Sequence, residues 1–483
     1  MLNQEYRMLF NRIIKWFVAW PDLLKFIMIM AITIYATYYV PTPLKMIWYA
    51  TLAVAYFFSK NEALWLAIFL TTSDGFISFF GVYSATLTIL PGLPAVEISQ
   101  VYILLSVVKA ASLKVKPMIF YKKYIQILLL YLVFHIIWGQ MMGLSGDLNV
   151  YFRVLKASIP MMLFYSIPRL FGSQEMYERF FRLIFFVVLS AFAAQLFTLF
   201  IGISPMEAAG ISQLEREDNE GEFRVFYNAG STLIGLFGAM YFLNLRKYKS
   251  GYRVLPVAVV FVALSMALLS ATRGWIIGFS LIISATILFT TAVRTKRSMY
   301  IILIIIFLML WSLKFPVISD QLDFARERLE TIEAISEGDL TARGTLQRLD
   351  YRSQRALDGW RQNPLFGWGL SDMGYKYEDG HVGNQSLLVT SGIVGFILLN
   401  GFIVWFIFMI FSLYLKSATR IPDRDALLVF VIFLIGWFFI HSTSGQQFNF
   451  TGTPVRIIPQ AIFFSFGAFQ YQRITTLLHG KKV

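Results

Sequence analysis

QSLLVTSGIVGFILLNGFIVWFIFMIFSLY, residues 385–414, carries no charged side chain from end to end. A helix needs about 20 predominantly apolar residues to cross a bilayer, so this run is long enough to cross with tilt or a bend. Shorter runs of the same kind recur on both sides of it. Spans are predicted near 24–40, 42–58, 62–81, 96–111, 124–143, 152–168, 183–203, 226–244, 254–272, 274–293, 298–315, 385–414, 427–443 and 455–470. That makes about 14 spans, with both termini on one side. Composition agrees: of 483 residues 57% are hydrophobic and only 14% charged, against about 25% charged in soluble domains. The expected fold class is all-α, a polytopic transmembrane helical bundle forming one integral membrane domain over 1–483. The segment 82–96, with Pro91, Gly92 and Pro94, reads as a loop or a re-entrant piece.

The net charge of +14 could point to nucleic acid, but its placement argues otherwise. Lys114, Lys116, Lys122 and Lys123, then Arg246, Lys247, Lys249 and Arg253, then Arg294, Lys296 and Arg297, and Lys416, Arg420 and Arg424 all fall in short loops on the terminus side. Lys and Arg concentrate in cytoplasmic loops. This side is therefore expected to be cytoplasmic, and no nucleic-acid partner is expected. The N-terminus (Arg7, Arg12, Lys15) is basic and amphipathic, with no cleavage-site pattern after the first apolar run. The absence of cysteine excludes disulfides, thiolate metal ligands and a Cys nucleophile. It also fits a chemistry that faces the outside, where free thiols oxidise.

Two sizeable loops lie on the opposite side. One, near 204–225, is acidic through Glu215, Glu217, Asp218, Glu220 and Glu222; the other spans 316–384. In the second, Ile318, Leu322, Ala325, Leu329 and Ile332 recur at helical spacing, as do Leu346, Leu349, Ser353, Ala356 and Trp360. EGD (337–339) and Gly344 mark the turn between them. The loop 316–384 is thus expected to be a helical cap inserted between spans.

Polar groups at or within a membrane are costly, and each invites a functional reading. Arg273, in SATRGW (270–275), sits in a very tight turn between two spans, pointing to lipid headgroups or inward. Arg224 closes the acidic loop in FRVFYNAG (223–230), as an interfacial anchor, a salt-bridge partner of Glu220 or Glu222, or a ligand-binding cation. Arg153 and Lys156 open a span on the side where cations are disfavoured. Arg348, Arg352 and Arg355 follow i, i+4, i+7 spacing on one helix face, either solvated and paired with Asp350 and Asp358 or set for an anionic, bidentate target. His381, in YEDGHVGNQSLL (377–388), lies in a Gly-flanked turn at a span mouth, near Asn384, and suits a general base near neutral pH. His441 is its rival; His135 looks buried and His479 lies in the tail. Asp74, in TTSDGF (71–76), reads as a second acid/base group or a coupling-ion ligand. No metal-ligand spacing and no nucleotide-binding loop occurs, so neither metal nor cofactor is expected. Fixed cations can stabilise a departing diphosphate, and an acceptor hydroxyl then needs only a base.

SATRGW, the large loop whose helix runs into NPLFGWG (363–369), His381 and the run ending in SGIVG (391–395) together resemble the bacterial O-antigen polymerase/ligase superfamily. FRVFYNAG is similar to that family's Arg-bearing stretch. The resemblance covers about 224–396. It implies a GT-C-like membrane glycosyltransferase, inverting and metal-independent, in the bacterial inner membrane with its site on the periplasmic side. Its donor would be an undecaprenyl-diphosphate-linked oligosaccharide and its acceptor a lipid-linked repeat unit, with membrane lipids and a chain-length regulator protein as partners. It implies that Arg224, Arg273 and Arg348 bind the donor diphosphate and that His381 activates the acceptor. Arg153, Lys156, Arg352, Arg355, Asn384 and Asp74 are accessory candidates. The chain departs from the family pattern where Val382 and Gly383 separate His381 from Asn384. The favoured expectation is a polysaccharide polymerase. Transfer to lipid A–core by a ligase, transfer to protein, and a lipid-linked sugar transporter or flippase stand as alternatives.

Overall fold

In hydrocarbon every backbone N–H and C=O must find its partner within the protein, which leaves the helix as the default for an apolar run. The computed structural model describes residues 21–74, 86–87, 96–113, 117, 119–210, 226–245, 254–290, 314–336, 345–417, 423–443 and 445–478, with the side chains at 86–87, 96, 148–149, 328, 330–336 and 345–349 excepted. The described helices are α1 (Pro21–Tyr39), α2 (Thr42–Phe58), α3 (Glu62–Ser73), α4 (Ile98–Ser112), α5 (Lys122–Met141), α6 (Leu148–Ser158), α7 (Leu163–Leu170), α8 (Gln174–Ile201) and α9 (Pro205–Ala208). They continue as α10 (Ala229–Leu243), α11 (Val254–Leu269), α12 (Arg273–Phe289), α13 (Pro316–Ser336), α14 (Thr345–Gln362), α15 (Asp372–Tyr377), α16 (Gly383–Lys416), α17 (Arg424–Thr443) and α18 (Pro454–Leu478). A single 3-10 turn, Ile159–Met162, joins α6 to α7, and Thr86–Leu87 pairs antiparallel with Val96–Glu97 within the stretch read as a loop or re-entrant piece.

Among the described residues, six helical stretches are long and apolar enough to cross a membrane: α1, α5, Val150–Leu170, α8, α16 and α17. The protein is therefore membrane-embedded. Among the described residues, five further apolar helices have 10–17 residues. Of the run expected over 62–81, Glu62–Ser73 is helical and 75–81 lie outside the described residues; α4, α10, α11 and α12 have 15, 15, 16 and 17 residues. Two of them are packed wholly within the protein. Every side chain from Glu62 to Thr72 is buried, as is every residue from Ser231 to Phe242. A hydropathy window counts such protein-packed helices together with lipid-facing ones. The lipid face itself shows on α5, at Leu130, Val133 and Ile137, and on α16, at Ile397, Val404 and Phe408, all large and exposed. Most of the predicted span 298–315 lies outside the described residues.

The inner layer is aromatic. Phe237 of α10 touches Phe430 and Phe433 of α17 and Phe463 of α18 at ring centroids of 4.9, 5.2 and 4.8 Å. Within 316–384, α13 and α14 match the two helical patterns, with Ala325 and Ala356 on the buried faces as their spacing requires. The turn read at 337–344 lies outside the described residues.

The long run 385–414 breaks at Gly392, whose φ of 61° and ψ of −173° are not helical. In an unbroken helix the N–H groups of 393 and 394 would bond to the carbonyls of 389 and 390. Here Ile393 donates to the Pro364 carbonyl at 2.9 Å and Val394 to that of Leu365 at 3.2 Å. The vacated carbonyls are not orphaned. Trp368 donates to Val389 at 2.8 Å and Gly369 to Thr390 at 2.9 Å. NPLFGWG thus inserts into the break and substitutes for the missing turn. One face of α5 completes the set. The Tyr131 hydroxyl donates to the Ser391 carbonyl at 2.5 Å, His135 Nε2 to Thr390 at 2.6 Å and Trp138 Nε1 to Gly367 at 2.8 Å. A broken membrane helix is tolerated when neighbours satisfy its freed groups in this way. His135 is therefore a structural donor.

Candidate functional site

Side-chain pairs sort the helix termini into two ends. At one end Asp22 pairs with Arg179, Glu62 with Lys109, and Asp423 with Arg473. This end gathers the starts of α1, α3, α8 and α17 and the finishes of α4 and α18. Asp74, Arg153, Lys156, Arg273, Arg352, Arg355, His381 and Asn384 all belong to the opposite end. Arg224 lies outside the described residues, and Arg348 is on α14 with its side chain outside them.

His381 occupies the turn between α15 and α16, and its side chain is exposed. Asp379 builds this turn. Its Oδ1 accepts the His381 backbone N–H at 2.9 Å, and its own N–H donates to Ser386 Oγ at 2.8 Å. Arg352 and Arg355 of α14 reach the same carboxylate at 3.6 and 3.3 Å. Their shared face therefore points at the His381 turn, and their acid is Asp379 instead of the nearer-in-sequence Asp350 or Asp358. Asp358 is taken by Arg361 at 2.8 Å. Asn384 does not bond His381; it donates to Ser442 Oγ on α17 at 2.8 Å.

Arg273 opens α12 after a three-residue link in which Ala271 has a positive φ of 47°. The tight turn expected there is present, and α13 packs on it, with Gln321 donating to the Leu269 carbonyl at 2.7 Å. Phe226 meets Trp275 edge-to-face at 5.2 Å. That contact joins the stretch following Arg224 to the one carrying Arg273. Further along α12, a Cβ at Gly278 would lie 2.4 Å from Ile440, and one at Gly383 would lie 2.5 Å from His441 Cε1. A continuous line of packing thus runs from the Arg273 turn through the end of α17 to the start of α16, two residues beyond His381.

Asp74 proves to be a helix cap. It ends α3, its Oδ2 accepts the Ser231 N–H at 2.7 Å, and Asn228 donates to its carbonyl. A carboxylate at the start of α10 complements the helix dipole. Arg153 lies exposed on α6 with its guanidinium 5.8 Å from the Tyr375 ring centroid, and Lys156 interacts electrostatically with Glu97 ahead of α4.

Sequence reasoning passed over a polar cluster beside His381. Glu378 begins the same turn, half-buried, with Asn449 Nδ2 at 3.5 Å from Oε1. Burial raises its carboxyl above the ordinary Glu value, and Gln446 and the Arg456 charge oppose that rise. Arg456, at the start of α18, is exposed yet close enough to act electrostatically on both Glu378 and His441. His441 is fully buried, and its Nδ1 accepts the N–H groups of Gln447 and Phe448 at 2.9 and 3.2 Å. The signal for Arg456 was available: a cation where the last span begins on the disfavoured side, as for Arg153. No group of three or more His, Asp or Glu side chains that could hold a metal ion occurs among the described residues. No protein-family model matches the chain, and no curated protein matches it at a significant level.

Proposed function

We propose that the protein is a membrane glycosyltransferase that elongates a polysaccharide, taking glycan from a lipid-diphosphate donor and passing it to a lipid-linked acceptor repeat unit. The observation that carries this reading is the packing line from Arg273 to the His381 turn, joined by the Phe226–Trp275 contact to the stretch that follows Arg224. It brings the Arg273 turn, the residues just after Arg224 and an exposed imidazole to one end of a membrane bundle. The resemblance of SATRGW, NPLFGWG and SGIVG to the O-antigen polymerase/ligase superfamily supports the same reading. On it, that end is periplasmic, the bundle crosses the inner membrane about 14 times, and 316–384 caps the site.

In the proposed reaction the His381 imidazole takes the proton of the acceptor hydroxyl as its oxygen attacks the anomeric carbon. The bond from that carbon to the diphosphate oxygen breaks on the opposite face, with inversion. The lipid diphosphate leaves with the electron pair, and the Arg273 and Arg224 guanidinium groups stabilise its charge.

A broken membrane helix is also a feature of transporters, whose half-helix ends bind ions. In α16 the freed groups flanking Gly392 are hydrogen-bonded to 364–369 and α5, which favours a structural break over an ion site. Reconstituted protein, given a lipid-diphosphate glycan with both a repeat-unit acceptor and lipid A–core, should lengthen the repeat-unit lipid. Product on lipid A–core alone would make it a ligase. Movement of the lipid across vesicles with no new glycosidic bond would overturn glycosyl transfer.

A further inference from the structure

Two arginines at the His381 end have no acid to pair with. Arg153 on α6 and Arg456 at the start of α18 are both exposed. Among the described residues neither makes an ion pair or a side-chain hydrogen bond, and Arg153 meets only the Tyr375 ring. The arginines of the cap itself are matched: Arg352 and Arg355 share Asp379, and Arg361 takes Asp358. On the glycosyl-transfer reading this end is periplasmic, the side where cations are disfavoured.

The backbone brings the two arginines to one place. The Gly452 N–H donates to the Ala157 carbonyl at 2.9 Å, which ties the approach to α18 to the end of α6. Ala157 lies four residues beyond Arg153, on the same helix face. A Cβ on Gly452 would stand 4.0 Å from that of Arg456. Both guanidinium groups then act on the stretch leading into the His381 turn. Arg153 lies 5.8 Å from the Tyr375 ring centroid, and the Arg456 charge acts on Glu378, three residues on. Tyr375 in turn feels the charges of both Glu378 and Arg153. The start of α18 is fixed against this turn: Gln446 N–H donates to the Gly380 carbonyl at 2.7 Å, and Gln460 Nε2 to that of Gln447 at 2.7 Å.

The acids of the stretch are otherwise engaged. Asp372 Oδ2 accepts the Ser145 N–H at 3.1 Å, and Asp379 holds Arg352 and Arg355. Burial raises the Glu378 carboxyl above the ordinary Glu value, which works against the negative charge an incoming anion would meet.

Unpaired guanidinium groups suit a ligand with several anionic oxygens, which Arg binds in bidentate fashion. Elongation brings two lipid diphosphates to the protein at once, and Arg273 with Arg224 serves one of them. We propose that Arg153 and Arg456 form a second diphosphate site, which holds the acceptor lipid beside the His381 turn. This inference rests on the glycosyl-transfer reading, and it gives the second substrate of that reaction a place.

The test titrates farnesyl diphosphate into full-length protein in non-ionic detergent and reads the stoichiometry by calorimetry. Wild type should bind two molecules per chain. The double variant Arg153→Gln/Arg456→Gln should bind one, each single variant should weaken the second site about tenfold, and Arg273→Gln should keep that site. Both side chains are exposed, so the variants should melt like wild type. Excess phosphatidylglycerol should leave both molecules bound. In the elongation assay the double variant should raise the KM for the acceptor lipid and leave that for the donor unchanged. A second molecule that is absent from wild type, survives in the double variant or is displaced by phosphatidylglycerol overturns the second site and leaves glycosyl transfer standing. A raised donor KM with an unchanged acceptor KM overturns the assignment to the acceptor. Failure of wild type to bind any farnesyl diphosphate overturns both the site and the reading beneath it.

Discussion

Replacing Gly392 with Ala should dismantle the joint between NPLFGWG and the membrane helix. The backbone there has φ 61° and ψ −173°, a region that is essentially glycine-only and costs other residues about 1–3 kcal/mol. The new Cβ would stand 2.2 Å from the Leu365 carbonyl oxygen and 2.5 Å from the Gly367 nitrogen. Both are backbone atoms, so no rotamer change relieves the clash and the 363–369 turn must withdraw. Four backbone hydrogen bonds cross the joint, at Trp368, Gly369, Ile393 and Val394. Each is worth about 0.5–1.5 kcal/mol net, so strain with the loss of two of them comes to roughly 2–6 kcal/mol. Gly380→Ala is the control: nothing lies within 4 Å of a Cβ there, and its cost should stay within about 0.5 kcal/mol. Thermal unfolding in detergent, followed by tryptophan fluorescence to which Trp138 and Trp368 at the joint contribute, separates the two. A Gly392→Ala protein that melts with Gly380→Ala would refute the reasoning.

Tyr131→Phe removes the hydroxyl that satisfies the Ser391 carbonyl, and should destabilise by about 1–3 kcal/mol in the same melts. Asp379→Asn releases Arg352 and Arg355 while keeping an oxygen for the His381 N–H. These pairs are partly exposed, worth about 1 kcal/mol or less each, so the melting point should hold while turnover falls. Glu378 is held above the ordinary Glu value in the fold. Its contribution to stability is therefore full at pH below the unfolded value and is lost as pH rises through the folded one. Glu378→Gln cannot ionise, so its melting point relative to wild type should climb as pH rises above the ordinary Glu value of about 4; a constant difference would contradict this.

The sequence makes the helices of the 316–384 loop and the Arg273 turn legible because each rests on local information: spacing for α13 and α14, and two apolar runs meeting at SATRGW. Which apolar helices face lipid is less legible. Hydropathy measures apolarity and not what lies alongside, so it does not tell α3 and α10, buried in protein, from lipid-facing helices. The break at Gly392 is hidden for a related reason. Nothing within SGIVG distinguishes it from a flexible point in a helix; its cause is a segment some 25 residues earlier in the chain. Pairing is also hidden. Helical spacing puts Arg352 and Arg355 on one face, but that the face meets Asp379 is decided by how α14 lies against the turn. His441 and Arg456 are each ordinary near a span end, and only the fold sets them beside Glu378.

Product formation by His381→Ala tests the central claim most directly. The side chain is exposed, so its removal should leave the melting point within about 0.5 kcal/mol of wild type. With purified protein, a lipid-diphosphate glycan and a repeat-unit acceptor, the variant should bind donor normally and form new glycosidic bonds about 10²–10⁴-fold more slowly. Wild-type turnover in His381→Ala would contradict the account.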